Sequence, residues 1–300
     1  MNLIETHGLT RRFGRMEAVH DLSLAVPEGS VFALLGPNGA GKTTTLKLLM
    51  NLLSPTGGRA QILGVDSRKL GERELAQIGY VSENQQLPVW MTVRQFIDYC
   101  RPFYPAWDRA LEATLLKQFA LPEERKLSQL SRGMLMKAAL LSSLAYRPKL
   151  LVLDEPFSGL DPLVRDEFIR GVLEVSAQSQ WTVLVSSHDI EEVERLADHV
   201  AILDAGRLRL SETAESLQGR FRRVEVTSAP GSAVAAPGWL QWQRAGQLTR
   251  FIETGYQGVA TERIWSEQFG GAAVSAQPMS LREIFMVLAQ SHRSAAEASA

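Results

Sequence analysis

Short unbroken apolar runs, rather than alternating ones, dominate the first two thirds of the chain. Val31–Leu35 is continuous and ends in Gly36, Pro37, Asn38 and Gly39, the pattern of a buried strand entering a tight loop. After Lys42, the residues Leu46, Leu48, Leu49, Leu52 and Leu53 are too dense for a one-sided stripe and predict a largely buried helix. Further apolar runs at 150–153, 183–185 and 200–203 are separated by segments of helical spacing, which predicts parallel strands joined by helical crossovers. The core is therefore expected to be α/β. Between the first two of these strands an insertion, about 85–147, carries helical segments at 111–120 and 134–146 and predicts a helical subdomain.

Beyond Ser211 the texture changes. A stretch rich in Ser, Ala, Gly and Pro, 228–238, separates 222–226 from later short apolar runs. A first domain over 1–215 is thus expected to be followed by a small α+β domain over 216–291 and a frayed tail, 292–300. The second domain closes on a predicted helix in which Ser280 and Glu283 have capping-box spacing and Leu281, Ile284, Phe285 and Leu288 share one face.

Composition acts by exclusion. The 300 residues carry 32 Lys and Arg against 33 Asp and Glu, a net charge of −1, which argues against a general polyanion binder and predicts no nucleic-acid partner. With 45% hydrophobic and 22% charged residues the chain is ordinary globular material. No apolar run reaches the roughly 18 residues that a membrane-spanning helix needs. The single Cys100 excludes an internal disulfide and suits a reducing, cytoplasmic compartment. Residues 1–12 hold no apolar core with a cleavage site, so no secretory signal is expected.

Chemistry enters at residues 36–43. Gly36, Pro37, Asn38, Gly39, Ala40, Gly41, Lys42 and Thr43 match the phosphate-loop pattern of Gly, four residues, Gly, Lys and Ser or Thr, set between a predicted strand and a predicted helix. Glycines let several backbone N–H groups turn inward while the following helix presents its positive end, so phosphate oxygens are the natural ligand. Lys42 is placed to neutralise β- and γ-phosphates, Thr43 to ligate Mg²⁺, and Thr44 to add a hydrogen bond. The plain alternative is a glycine-rich turn before a helix. The run 150–153 ends in Asp154 and Glu155, two carboxylates at a core edge, which is costly unless a cation or a water needs them. Asp154 is then the Mg²⁺ ligand and Glu155 the group that polarises the attacking water, the alternative being a strand end with solvated acids.

Three further motifs accompany these: Leu130, Ser131, Arg132, Gly133, Met134 upstream; Ser158, Gly159, Leu160, Asp161 after the acidic pair; and Ser187, His188, Asp189 at the end of the next strand. Together the five resemble the ATP-binding cassette family of transporter ATPases over roughly residues 3–215. The resemblance implies a nucleotide-binding α/β core that takes ATP and Mg²⁺. It implies that Phe13 stacks on adenine, although a core aromatic is the alternative. It implies that Ser131 and Gly133, which keep the hydroxyl and the bare backbone of a signature usually written LSGGQ, contact the γ-phosphate held by a second cassette of a dimer, with Asp161 at the contact. It also implies that His188 contacts the γ-phosphate and helps position the water beside the catalytic Glu155. Arg132 and Met134 depart from that signature. A separate departure is Glu83, three residues after Tyr80, where the family commonly has Gln as a Mg²⁺ and water contact. A carboxylate can still ligate Mg²⁺ but adds negative charge near the γ-phosphate, and Glu83 is expected to be the functional equivalent.

Six of the chain's 22 aromatics, Trp90, Phe96, Tyr99, Phe103, Tyr104 and Trp107, follow the Glu83 loop. In the family this region receives a short helix of the membrane subunit; the alternative is that the rings fill the helical subdomain. The resemblance thus implies an ATPase subunit powering a separately encoded membrane permease, of the exporter type, held at the inner face of the cell membrane. A soluble cassette protein acting on ribosomes or DNA and a nucleotide-dependent regulatory module are the competing classes.

Overall fold

The computed structural model describes residues 1–179, 181–227 and 236–297. Most of the predicted loop 228–238 and the end of the predicted tail, 298–300, lie outside the described residues. The chain divides into two compact units, Met1–Ser211 and Glu212–Ala300.

In the first unit the strands read as unbroken apolar runs form one sheet. Its order is Arg207–Thr213, His199–Asp204, Val31–Leu35, Thr182–Ser187, Leu150–Asp154 and Ile78–Ser82. The five strands from His199–Asp204 to Ile78–Ser82 pair in parallel. Val31–Leu35, Leu150–Asp154 and Thr182–Ser187 are buried along their whole length, because a parallel sheet is covered on both faces. Parallel strands that end at one edge bring their C-terminal loops together, and every motif named above except the signature follows such a strand end or the helix beyond it.

A second, antiparallel sheet of five strands was not legible as such: Asn2–Phe13, Met16–Leu22, Ala25–Pro27, Gly57–Ile62 and Val65–Asp66. Register irregularities in the pairings of Asn2–Phe13 break its two-residue period, and the buried Thr6 hydroxyl bonds Leu22 O and Leu24 N–H in place of an apolar contact. The helix Lys42–Leu49 joins the two sheets through one core, in which Leu46, Leu48 and Leu49 pack with Ile4, Leu22 and Ile62 and with Phe32 and Leu34. That helix is shorter than predicted. It ends at Leu49 with Met50 as its C-cap, Asn51 takes a positive φ, and Leu52 is exposed.

The insertion is helical, with Val93–Cys100, Arg109–Gln118 and Arg132–Leu144. Thr92, Asp108 and Ser131 cap the three N-termini through their side chains. The aromatic segment divides between two tasks. Phe96 is buried, Tyr104 stacks on Tyr146 at 3.8 Å, and the Trp107 indole N–H donates to the buried Glu112 at 2.7 Å, so these three are core. Trp90, Tyr99 and Phe103 are exposed. Burial pushes the Cys100 thiol up to about 11, as suits a packing residue.

The second unit is an antiparallel sheet in the order Trp239–Ala245, Leu248–Glu253, Arg222–Thr227 and Ala273–Pro278, with helices Ala214–Arg220, Val259–Gln268 and Leu281–Glu297. Its core is Val224, Val226, Phe251, Trp265 and Phe269. The last helix starts on the predicted capping box, with Ser280 N–H donating to Glu283 Oε2 at 2.9 Å and Glu283 N–H to Ser280 Oγ at 3.2 Å. Its backbone continues through the segment expected to fray, as far as Glu297.

Candidate nucleotide site

The loop after Val31–Leu35 opens into a cleft of about 540 Å³ lined by Asn38, Gly39, Ala40, Gly41, Lys42, Thr43 and Thr44. Gly41 is the N-cap of the Lys42–Leu49 helix at φ +99°, and a Cβ there would stand 2.3 Å from Ala18 O, so no other residue fits. The adjoining Gly36 and Pro37 do not line the cleft; their carbonyls accept from Lys42 Nζ at 2.6 and 3.2 Å. That ammonium is 5% exposed and lies 3.0 Å from Glu155 Oε1, itself 12% exposed. On its other side Glu155 Oε2 meets His188 Nδ1 at 2.8 Å. Glu155 therefore stands between two cationic or proton-donating groups contributed by separate strand ends.

Asp154 sits one residue deeper. Its Oδ1 accepts from Thr43 Oγ1 and from Ser186 Oγ, each at 2.9 Å. Burial raises the Asp154 carboxyl above its ordinary value, against those two hydrogen bonds, which lower it. The next residue, Glu155, turns out of the strand with φ +50°, a conformation that costs a non-glycine residue on the order of 1 kcal/mol and is held by its own N–H donating to Ser186 Oγ at 3.0 Å. Ser186 thus ties both acids to the neighbouring strand. Sequence reasoning missed it, and its one signal is a hydroxyl in an otherwise apolar run. Glu192 was missed too: buried, it accepts from Ser187 Oγ and lies 3.3 Å from Arg165 Nη2, bracing the turn that carries His188.

The other predicted residues fall outside this centre. Glu83 lines the cleft, but its Oε1 is taken by the Arg132 guanidinium and by Ser158 Oγ. Ser131 caps the Arg132–Leu144 helix, accepting from Met134 N–H, with Gly133 buried in its first turn. Asp161 accepts from Val164 N–H at 3.0 Å at the start of Pro162–Ser179. None of these three lines the cleft of its own chain. Phe13 ends its strand opposite Met16 and is partly exposed, with the Arg11 guanidinium 4.5 Å from its ring centroid. The cleft wall beside it is made by Met16, Glu17 and Ala18, which no motif marked.

Comparison with known proteins meets this geometry from outside. The profile of the ABC transporter family matches residues 19–158. The daunorubicin resistance ATP-binding protein DrrA2 of Streptomyces coeruleorubidus is 35% identical over 233 residues, covering 75% of this chain and 72% of that protein. This chain belongs to the ABC transporter ATP-binding proteins. An uncharacterised ABC transporter ATP-binding protein of Synechocystis is 33% identical over 249 residues, 78% of this chain and 69% of its own. A solved ATP-binding subunit of an ABC transporter superposes with a TM-score of 0.66 at 28% identity, over 72% of this chain and 92% of that one. As an ABC ATP-binding protein the chain is an ATP-binding ATPase of the phosphate-loop α/β class. Among its described residues no helix is long and apolar enough to cross a membrane.

Proposed function

We propose that this chain hydrolyses ATP with Mg²⁺ at the centre formed by Lys42, Glu155 and His188, works as one of a pair of cassettes, and powers a separately encoded permease in export. The observation that carries the chemistry is the 3.0 Å contact between Lys42 Nζ and Glu155 Oε1. A buried ammonium and carboxylate that neutralise one another are poised to exchange partners. Phosphate oxygens entering the cleft take Lys42, and Glu155 is left to accept a proton from the attacking water. His188, 2.8 Å from the other carboxylate oxygen, orients Glu155.

Hard oxygen donors suit Mg²⁺, and Thr43, Asp154 and the remaining oxygen of Glu83 are the groups that would hold it. Among the described residues no group of three or more His, Cys, Asp or Glu could cage a metal, and nucleotide oxygens and waters would complete the shell. When bound, the ion supplies positive charge to the phosphate oxygens. Ser131, Gly133 and Asp161, which stand away from their own cleft, are read as facing ATP held by the second cassette, and Phe13 as the platform for the base. The test is ATP turnover by wild type and Glu155→Gln; equal rates would defeat the assignment.

The permease is read as docking at a groove of about 440 Å³ whose apolar side is Leu87, Val89, Trp90, Leu135, Met136 and Ala139 and whose other side is polar, a division that suits an amphipathic helix. Trp90→Ala is expected to lower recovery of the membrane subunit in a pull-down, and undiminished recovery counts against docking there. Export is favoured by relatives named for daunorubicin resistance and bacitracin transport, the latter 31% identical. A sulfate/thiosulfate import protein of Escherichia coli is also similar, at 33% identity, with this chain covering 61% of it. Substrate movement into inverted vesicles, rather than out of them, is the result that supports export.

A further inference from the structure

Two of the three departures from the signature and Mg²⁺-contact patterns, Arg132 and Glu83, are 49 positions apart in sequence and meet as one ion pair. Glu83 Oε1 is also the acceptor for Ser158 Oγ at 2.8 Å, and the Glu83 N–H is fixed by Asp154 O at 3.0 Å. The Arg132 guanidinium lies over Gly159, at φ +68°, where a Cβ would come within 2.7 Å of Nη1. Among the described residues, Glu83 is the one that lines both the nucleotide cleft and the docking groove. A carboxylate on the wall of a cleft for a polyanion repels what the cleft must bind, unless a cation takes up its charge.

We propose that Arg132 is a positioning residue for Glu83: it draws the carboxylate to the signature helix and cancels its charge, so that ATP capture depends on the pair rather than on either residue alone. This rests on the reading that the ATP phosphates occupy the cleft lined by Lys42 and Glu83. The pair is half-open to solvent, with Glu83 27% and Arg132 50% exposed, so its effect is an electrostatic one that salt can screen.

The experiment is equilibrium binding of ATP with Mg²⁺, which needs no turnover, to wild type, Arg132→Met, Arg132→Lys, Glu83→Gln and the double variant Glu83→Gln/Arg132→Met. Arg132→Met is expected to raise Kd by about tenfold, an effect that shrinks as salt is raised from about 0.05 to 0.5 M. Arg132→Lys, which keeps the cation, is expected to stay within about threefold of wild type. Against the Glu83→Gln background the same Arg132→Met change is expected to have no effect beyond about twofold, since no charge is left to compensate. An equal rise in both backgrounds, no rise in either, or a rise insensitive to salt overturns the proposal. Wild type that binds no ATP would instead overturn the reading of the cleft itself. A double variant with the affinity of Glu83→Gln also shows that Arg132→Met leaves the fold intact.

Discussion

The nucleotide cleft of the first unit and the ring core of the second treat buried charge in opposite ways. In residues 1–211 the buried Lys42 faces a carboxylate, and the buried Asp154 accepts from two hydroxyls beside it. In residues 212–300 the core is a stack of rings, with Trp239 centred 3.9 Å from Phe251 and Trp265 edge-on to Phe251 at 6.1 Å. The buried acid there, Glu253, accepts from the Trp239 indole N–H and from Gly255 N–H, each at 2.8 Å. Both arrangements satisfy a buried carboxylate, but only the first does so with groups that a ligand can take over. A Lys–Glu contact can be exchanged for phosphate at little cost, whereas an indole donor locked in a ring stack cannot. Buried charge marks a site when its partners are themselves charged and open to a cleft.

Glu155→Gln tests the first half of that contrast with the largest expected effect. The amide keeps the size and one oxygen but cannot accept a water proton, so turnover is expected to fall by about 10²- to 10⁴-fold while ATP still binds. A parallel loss of ATP affinity would mean that the Lys42–Glu155 contact builds the cleft rather than waiting to be exchanged.

Trp265→Ala tests the second half. Trp265 is fully buried under Phe251 and beside Tyr256, and truncating a buried ring of this size costs about 3–5 kcal/mol. Thermal unfolding is expected to show the loss in the second unit, with ATP affinity of the first unchanged. A matched loss of ATP binding would show that the ring stack supports the nucleotide site.

What could be read beforehand follows the same division. The phosphate loop, the Asp154–Glu155 strand end and the Ser187–Asp189 turn were legible because each chemical group is set by near neighbours along the chain: a strand, a tight loop, a helix start. The long apolar runs made the parallel sheet legible for the same reason. Ser186, Glu192 and the Arg132–Glu83 pair were not, because their meaning depends on which strand end lies beside which. Glu83 reads as an isolated substitution until Arg132, on a different element, closes on it. The antiparallel sheet of residues 2–66 was lost to irregular register, and Leu52 was misplaced into a helix because density of leucine says nothing about where a positive φ at Asn51 will stop it.

The smallest expected effect lies at the cap of the last helix, and it separates charge from hydrogen bonding in the second unit. The Glu283 carboxyl is held below its ordinary value, first by the Ser280 N–H and then, against the cost of burial, by Arg223 and the Ser280 hydroxyl. A carboxylate whose folded value is depressed stabilises the fold at pH values above its unfolded value, near 4.5, and loses that contribution as pH falls through the folded value. Glu283→Gln keeps an oxygen for the capping box but has no charge to titrate. Because the side chain is 39% exposed, solvent screens the Arg223 pair and the difference is a fraction of a kcal/mol, about 2 °C in Tm at pH 7 for a unit of this size. It is expected to shrink as pH falls below 4.5 and to vanish only below the depressed folded value, where wild-type Glu283 is itself protonated. A difference that persisted unchanged at that pH would assign the cap to shape rather than charge, and would leave the second unit without any titratable contribution at this helix.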